Sequence, residues 1–112
     1  YPIRVKNSLP RINLAKIGQL TFKKLDSKKF PSIDLCYEAI QQGGTFPVVL
    51  NAANEVAVSA FLHQGLKFTD IVKVVSMVMK AHQNKLNPTI HDILYQDRES
   101  RKLAEKFCKE CL

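Results

Sequence analysis

The sequence predicts an all-α fold, in which a four-helix bundle-like domain over residues 31–112 follows an extended arm over residues 1–30. Apolar residues recur at helical spacing in the second region but not in the first. Gly43, Gly44 and Gly65 stand where helical segments are expected to stop. Charge divides at the same boundary, because the arm holds eight basic residues and one acidic residue whereas residues 31–112 hold nine of each.

The arm is interrupted by Pro2, Pro10 and Gly18. Its one β-prone stretch is residues 19–22, whose alternation predicts a short orphan strand. A lone strand cannot satisfy its edges, so we expect it to pair with a sheet outside this chain. A start at Tyr1, without an initiator Met, leads to the same expectation of a longer parent protein.

The first two helices are predicted at about residues 32–42 and 46–64. Ser32 is the expected N-cap of the first, and Gly43-Gly44 its stop. The second is apolar almost all round, which is typical of a buried helix. Its polar residues share one stripe, being three, four or eight positions apart: Asn51, Asn54, Glu55 and Ser59.

The third helix is predicted from Thr69, as N-cap, to about residue 83. Thr89 and Asp92 resemble a capping box, which is expected to open a short helical segment ending near Tyr95. Asp97 then resembles a second N-cap, so the sequence predicts a separate final helix after it.

The polar stripe of the second helix has two interpretations. Asn51, Asn54 and Glu55 could position a general base or contribute a metal ligand. Alternatively they form a buried polar knot, in which amides and carboxylate satisfy one another. A single carboxylate without a second ligand one turn away is a poor metal site, so the structural interpretation is favoured.

The cysteines and histidines do not assemble a recognisable site. An odd cysteine count, Cys36 with Cys108 and Cys111, favours a reducing compartment over a disulfide framework. The Cys108-x-x-Cys111 spacing is half of a zinc motif, but both sulfurs fall on an apolar stripe and packing is favoured. Histidines 63, 82 and 91 are scattered, and His63 fits a helix-dipole partner better than a catalyst.

Several segments together resemble the C-terminal region of 1-deoxy-D-xylulose 5-phosphate reductoisomerase. The most specific is the run Leu-Asn-Ala-Ala-Asn-Glu at residues 50–55. Upstream, residues 9–22 resemble the linker of that family, and residues 30–44 resemble its next helix. Downstream, Asp97 and Arg101 fit its last helix.

The resemblance implies a parent that converts 1-deoxy-D-xylulose 5-phosphate to 2-C-methyl-D-erythritol 4-phosphate in the non-mevalonate route to isoprenoids. Such enzymes use NADPH and Mg²⁺ or Mn²⁺, form homodimers, and work in the bacterial cytoplasm or a plastid-type organelle. Only their linker and C-terminal helical domain have matching positions here. The resemblance therefore carries over no catalytic, cofactor-binding or metal-binding residue, and this fragment alone is expected to be inactive.

Two other functional classes are alternatives: a small basic helical module that binds nucleic acid, and an assembly module with no enzyme attached. The basic arm fits the first of these. Residues 31–112 are neutral overall, however, whereas a recognition helix normally carries its own basic face. No apolar run approaches the ~20 residues of a membrane span. We therefore expect neither nucleic acid nor membrane as partner, and expect the missing N-terminal domains instead.

Overall fold

A computed structural model of the chain describes residue 3 and residues 5–112. That part is all-α, as predicted, and has five helices without a β-strand. The helices are α1 (Leu14–Ile17), α2 (Ser32–Gln42), α3 (Phe46–His63), α4 (Phe68–Ala81) and α5 (Ile90–Cys111). The four longer ones correspond to the predicted bundle, and no helix among the described residues could cross a membrane.

Helix α3 is the centre of the domain, since α2, α4 and α5 all pack against it. Its inward side is built mainly from alanines, which let the neighbouring helices approach closely: Ala52, Ala53, Ala57 and Ala60. Helix α4 faces it with larger buried side chains: Ile71, Val74, Val75, Val78 and Met79. Helix α5 completes the core with Ala104 and Cys108. The core thus lies between α3, α4 and α5, with α2 covering one side of α3.

The structure of the arm differs from the predictions in two respects. Residues 19–22 form no strand, because hydrogen bonding along a strand needs a partner strand that the described residues do not supply. A single helical turn, α1, stands just before them and was not predicted. The Asn13 side chain accepts a hydrogen bond from the backbone of Lys16 at 3.1 Å to start it. Every described residue of the arm is exposed, with Phe22 reaching 87%.

Two predicted N-caps are wrong by one or two positions. Helix α2 is capped by Pro31 rather than Ser32, and α4 by Lys67 rather than Thr69. Neither cap makes a side-chain hydrogen bond. In α4 the Lys67 carbonyl already accepts from the backbone of Asp70, at 2.9 Å, so the first turn closes before Thr69 could cap it.

The last helix is continuous, so the predicted break before Asp97 is wrong. No glycine or proline interrupts the chain there, and the Asp97 carboxylate accepts from Arg101, one turn further along α5, instead of capping a new helix. The capping box at the start of α5 is confirmed. The Thr89 hydroxyl accepts from the backbone of Asp92 at 3.2 Å, and the Asp92 carboxylate accepts from the backbone of Thr89 at 2.8 Å.

Candidate functional site

The polar stripe of α3 lies on the surface. Asn51, Asn54, Glu55 and Ser59 are all exposed, and 53% of the Glu55 side chain is accessible. The prediction that Asn51 and Glu55 are buried is therefore wrong. The alanine side of α3 turns toward α4 and α5, which leaves the opposite, polar stripe uncovered. Periodicity correctly grouped these residues on one face but did not say whether that face is covered.

Glu55 is the centre of an ion-pair network that joins α3 to α5. Its Oε2 accepts from Arg101 Nη2 at 2.6 Å, and its Oε1 accepts from Asn51 Nδ2 at 3.2 Å. Arg101 Nε also donates to Asp97 Oδ2 at 2.9 Å. The Arg101 hydrogen bond, followed by that of Asn51, holds the pKa of Glu55 below its ordinary value. The two carboxylates in turn raise the pKa of Arg101.

This network is poorly suited to acid–base chemistry. A general base near neutral pH needs a carboxyl pKa raised toward 7, whereas that of Glu55 is lowered. The described residues contain no group of three or more side chains able to hold a metal ion. Asn54, the third residue of the predicted cluster, makes no hydrogen bond to the other two and instead lines a separate groove. The arrangement can hold two helices together but does not collect reactive groups around a substrate.

Two grooves border the stripe. One, of about 380 Å³, lies between α3 and α5 and is lined by charged residues including Glu55, Arg101 and Lys109. The other, of about 320 Å³, lies between α2, α3 and α4 and is almost entirely apolar, with Asn54 at its edge. Neither brings together the few convergent polar groups and apolar walls that mark most small-molecule sites.

Cys108 and Cys111 both pack in the domain, as their positions on an apolar stripe predicted. Cys108 lies in the core with 2% of its surface accessible, and burial raises the pKa of its thiol. Cys111 packs against the same core, whereas Cys36 is exposed. His63 is the last residue of α3, and its Nδ1 lies 3.0 Å from the carbonyl oxygen of Ser59. That contact fits the role expected of a histidine at a helix C-terminus.

The structure also contains a polar cluster around a buried threonine that the sequence analysis did not predict, formed by Thr45, His82, Asn84 and the backbone of Lys85. We call it the Thr45 clasp. Thr45, in the α2–α3 turn, is fully buried. Its hydroxyl lies 2.8 Å from His82 Nε2, donates to Asn84 Oδ1 at 3.2 Å, and accepts from the Lys85 backbone at 3.1 Å. Its partners lie 37 to 40 residues further along the chain, so local pattern gives no sign of it.

Comparison with known proteins decides the family. The family described as DXP reductoisomerase C-terminal domain matches residues 1–103. The chain belongs to this family. It is 47% identical over 111 residues to the 1-deoxy-D-xylulose 5-phosphate reductoisomerase of Halothermothrix orenii, and 43% identical over 109 residues to that of Acetivibrio thermocellus. The resemblance carried by residues 50–55 and their neighbours is confirmed.

A solved structure agrees. The fold matches 1-deoxy-D-xylulose 5-phosphate reductoisomerase from Zymomonas mobilis in complex with NADPH, with a TM-score of 0.84 and 32% identity. That match covers 96% of this chain and 29% of the other. The Halothermothrix and Acetivibrio matches cover 99% and 97% of this chain, but also only 29% of each relative. The chain therefore spans less than a third of the length of the curated relatives it matches.

Proposed function

We propose that this chain is the C-terminal structural domain of an enzyme that converts 1-deoxy-D-xylulose 5-phosphate to 2-C-methyl-D-erythritol 4-phosphate. The proposal rests mainly on the family match over residues 1–103. It is supported by 47% identity to a relative that bears the name of that enzyme. In this proposal the upstream remainder of the parent holds the catalytic machinery. The helical domain contributes a folded body, and the arm is the connection to that remainder.

NADPH and Mg²⁺ or Mn²⁺ are the cofactors proposed for the parent. The residues that the structure describes include no group of three or more side chains that could hold a metal ion. Among the described carboxylates, Glu55 and Asp97 are held by Arg101, and Asp92 is held by Lys85 at 2.7 Å. The sequence has no glycine-rich phosphate loop of the GxGxxG or GxxxxGK type. We therefore place both cofactors in the upstream part of the parent and derive no chemical step from this chain.

The proposed partners follow from the same reasoning. The exposed apolar residues of the arm, such as Phe22 at 87% and Leu20 at 60%, are suited to contact the upstream domains rather than water. A homodimeric parent in the bacterial cytoplasm, or in a plastid-type organelle, completes the proposal. Its support is the family membership and the bacterial sources of the relatives named above.

A chimera tests the proposal. The 111 residues of the Halothermothrix orenii enzyme that match this chain are replaced by the chain itself, and NADPH oxidation is followed with 1-deoxy-D-xylulose 5-phosphate and Mg²⁺. We expect turnover by the chimera, no turnover by the enzyme truncated before that segment, and none by the isolated chain. The unmodified enzyme is the control for assay conditions.

Two results would contradict the proposal. One is turnover or NADPH binding by the purified 112-residue chain, since the catalytic groups would then lie within it. The other is a chimera that is folded, as judged by its circular dichroism and its NADPH affinity, yet has no activity. That outcome would mean that the domain cannot serve the structural role assigned to it.

A further inference from the structure

The apolar groove between α2, α3 and α4 lies where the arm enters the domain. Ser32 and Cys36 line it from the first turns of α2, which starts directly after Pro31. Four further lining side chains come from α3 and α4: Leu50, Val58, Ile71 and Val75. Phe68 also lines the groove and has 72% of its surface exposed. A chain that leaves the domain through the arm therefore departs from the edge of this groove.

Helix α2 carries more apolar surface than its packing on α3 uses. Ala39 is the one buried residue of this helix. Ile33, Tyr37 and Ile40 recur at i, i+4 and i+7 and so share one stripe, yet they are 38%, 62% and 71% exposed. The first two each follow a groove-lining residue by one position, so the stripe continues the groove around the helix. Contiguous exposed apolar surface of this kind is typical of an interaction site.

Asn54 adds a polar group to the groove. Its side chain lines the groove from α3 and is exposed. Asn51 and Glu55, from the same polar stripe, bond to each other, whereas Asn54 makes no side-chain hydrogen bond within the described residues. An asparagine amide offers two donors and two acceptor lone pairs. The groove therefore combines an apolar lining with an amide that can bond to a polar group of its occupant.

We propose that this groove is the docking site of the upstream domains of the parent, which insert an apolar side chain into it and bond to the Asn54 amide. The inference rests on the proposed function, since the parent assigned there supplies those domains. The chain covers 29% of the length of the relatives named above, and the family is described as a C-terminal domain. Most of the parent therefore precedes the arm, and the arm ends beside the groove.

The tether favours this occupant over a second copy of the chain. The arm has 30 residues, and a flexible chain of that length has an end-to-end distance of about 30 Å. A partner held by such a linker has an effective concentration of about 1 mM. A dissociation constant of about 0.1 mM then leaves the groove about 90% occupied, whereas a second copy in dilute solution would need much tighter binding. The arm itself does not fill the groove, since all its described residues are exposed.

The Cys36 thiol is a probe of this contact, because it is exposed and lines the groove. N-ethylmaleimide is added to the 112-residue chain and to the full-length parent, and peptide mass spectrometry follows the alkylation of Cys36. We expect alkylation to be about tenfold slower in the parent, as mass action gives for the occupancy above. Cys108 is buried and should stay unreactive in both proteins, which verifies that the domain is folded.

A second thiol position controls for general shielding by the parent. Glu38 is exposed and lies two positions after Cys36, so the two side chains face different sides of α2. Glu38→Cys is made in a Cys36→Ser background, in both the chain and the parent. The introduced thiol should react at similar rates in the two proteins. Equal slowing of this thiol in the parent would overturn the proposal, by showing that the protection is not specific to the groove.

Two asparagine variants give a matched comparison of the polar contact. In the parent, Asn54→Ala removes a hydrogen bond to the docked segment and should speed Cys36 alkylation about twofold to tenfold. Asn51→Ala lies on the same helix but outside the groove, and should leave the rate unchanged. In the isolated chain neither variant should change the rate. Equal effects of the two variants in the parent would overturn the role given to Asn54.

Three further outcomes decide the proposal. Equal alkylation of Cys36 in the chain and in the parent would overturn the docking site. Protection in the isolated chain that grows with its concentration would overturn it in favour of a second copy. Turnover of 1-deoxy-D-xylulose 5-phosphate by the parent is assayed separately. An inactive parent with a protected Cys36 would refute the proposed function and support the docking site, whereas an active parent with a freely reactive Cys36 would do the reverse.

Discussion

The arm and the helical domain contain similar apolar residues, but those of the arm are exposed whereas many of those in the helical domain are buried. Phe22 of the arm is 87% exposed, and Leu9 and Ile12 are more than two thirds exposed. In the helical domain Val49, Val74 and Val78 have at most 1% of their surface accessible. The difference lies in what each segment can pack against. Helices α3, α4 and α5 present complementary faces to one another, whereas the arm has no second layer within the described chain.

The largest expected consequence of this contrast is in amide exchange. Amides near the middle of α3 should exchange only through near-global unfolding, and those of residues 19–22 almost freely. With a typical domain stability of about 5 kcal/mol or more, the two should differ by about a thousandfold or more. Exchange measured by NMR or mass spectrometry on the demonstrated monomer tests this. Strong protection of residues 19–22 would contradict it and reinstate a paired strand.

A pair of truncations compares the two regions directly. Met79 is 3% exposed in the core, and Met79→Ala is expected to lower the free energy of unfolding by about 2–5 kcal/mol through lost contacts and a residual cavity. Phe22→Ala removes a larger side chain but should change stability by less than about 0.5 kcal/mol, since Phe22 is exposed. Urea denaturation of both variants gives the two values. Comparable losses would show that the arm packs onto the domain in solution.

The sequence was sufficient at two helix ends that local chemistry decides, although it misplaced the N-caps of α2 and α4. Helix α2 ends at Gln42, just before Gly43, and α5 begins just after Thr89, because Gly43 and Thr89 act on backbone groups beside them. It was insufficient where the outcome depends on distant residues. A helical wheel placed Asn51 and Glu55 on one face, but the positions of α4 and α5 decided that this face is exposed. The Thr45 clasp depends wholly on contacts across 37 or more residues.

Helix capping offers a smaller and more local test. Thr89→Ala removes a hydroxyl that accepts from the backbone of Asp92, and should cost about 1 kcal/mol of stability. Thr69→Ala is the matched control, because Thr69 lies within α4 and is not its cap. It should change stability by less than about 0.5 kcal/mol. Thermal or urea denaturation measures both variants. If Thr69→Ala lowered stability more than Thr89→Ala does, Thr69 would act as the cap predicted from the sequence.

The smallest effect is expected at Glu55. A buried knot would make Glu55→Ala strongly destabilising, but the carboxylate is exposed and its ion pair with Arg101 is screened by water. Arg101 also retains Asp97 as a partner when Glu55 is removed. We therefore expect the urea midpoint to move only slightly, by far less than in Met79→Ala. A shift comparable to that of Met79→Ala would contradict the exposed geometry.

Salt and pH separate this weak ion pair from other effects of the substitution. Because its folded-state pKa is lowered, Glu55 contributes its stability above the ordinary value of 4.5, and that stability is lost as the pH falls through the lowered pKa. The small difference between Glu55→Ala and the unmodified chain should therefore vanish in acid and shrink in 1 M NaCl. The same substitution in the active chimera supplies the functional control. A folded chimera with unchanged stability but lost turnover would make Glu55 a site residue of the parent enzyme, and would overturn its assignment as part of a helix-joining network.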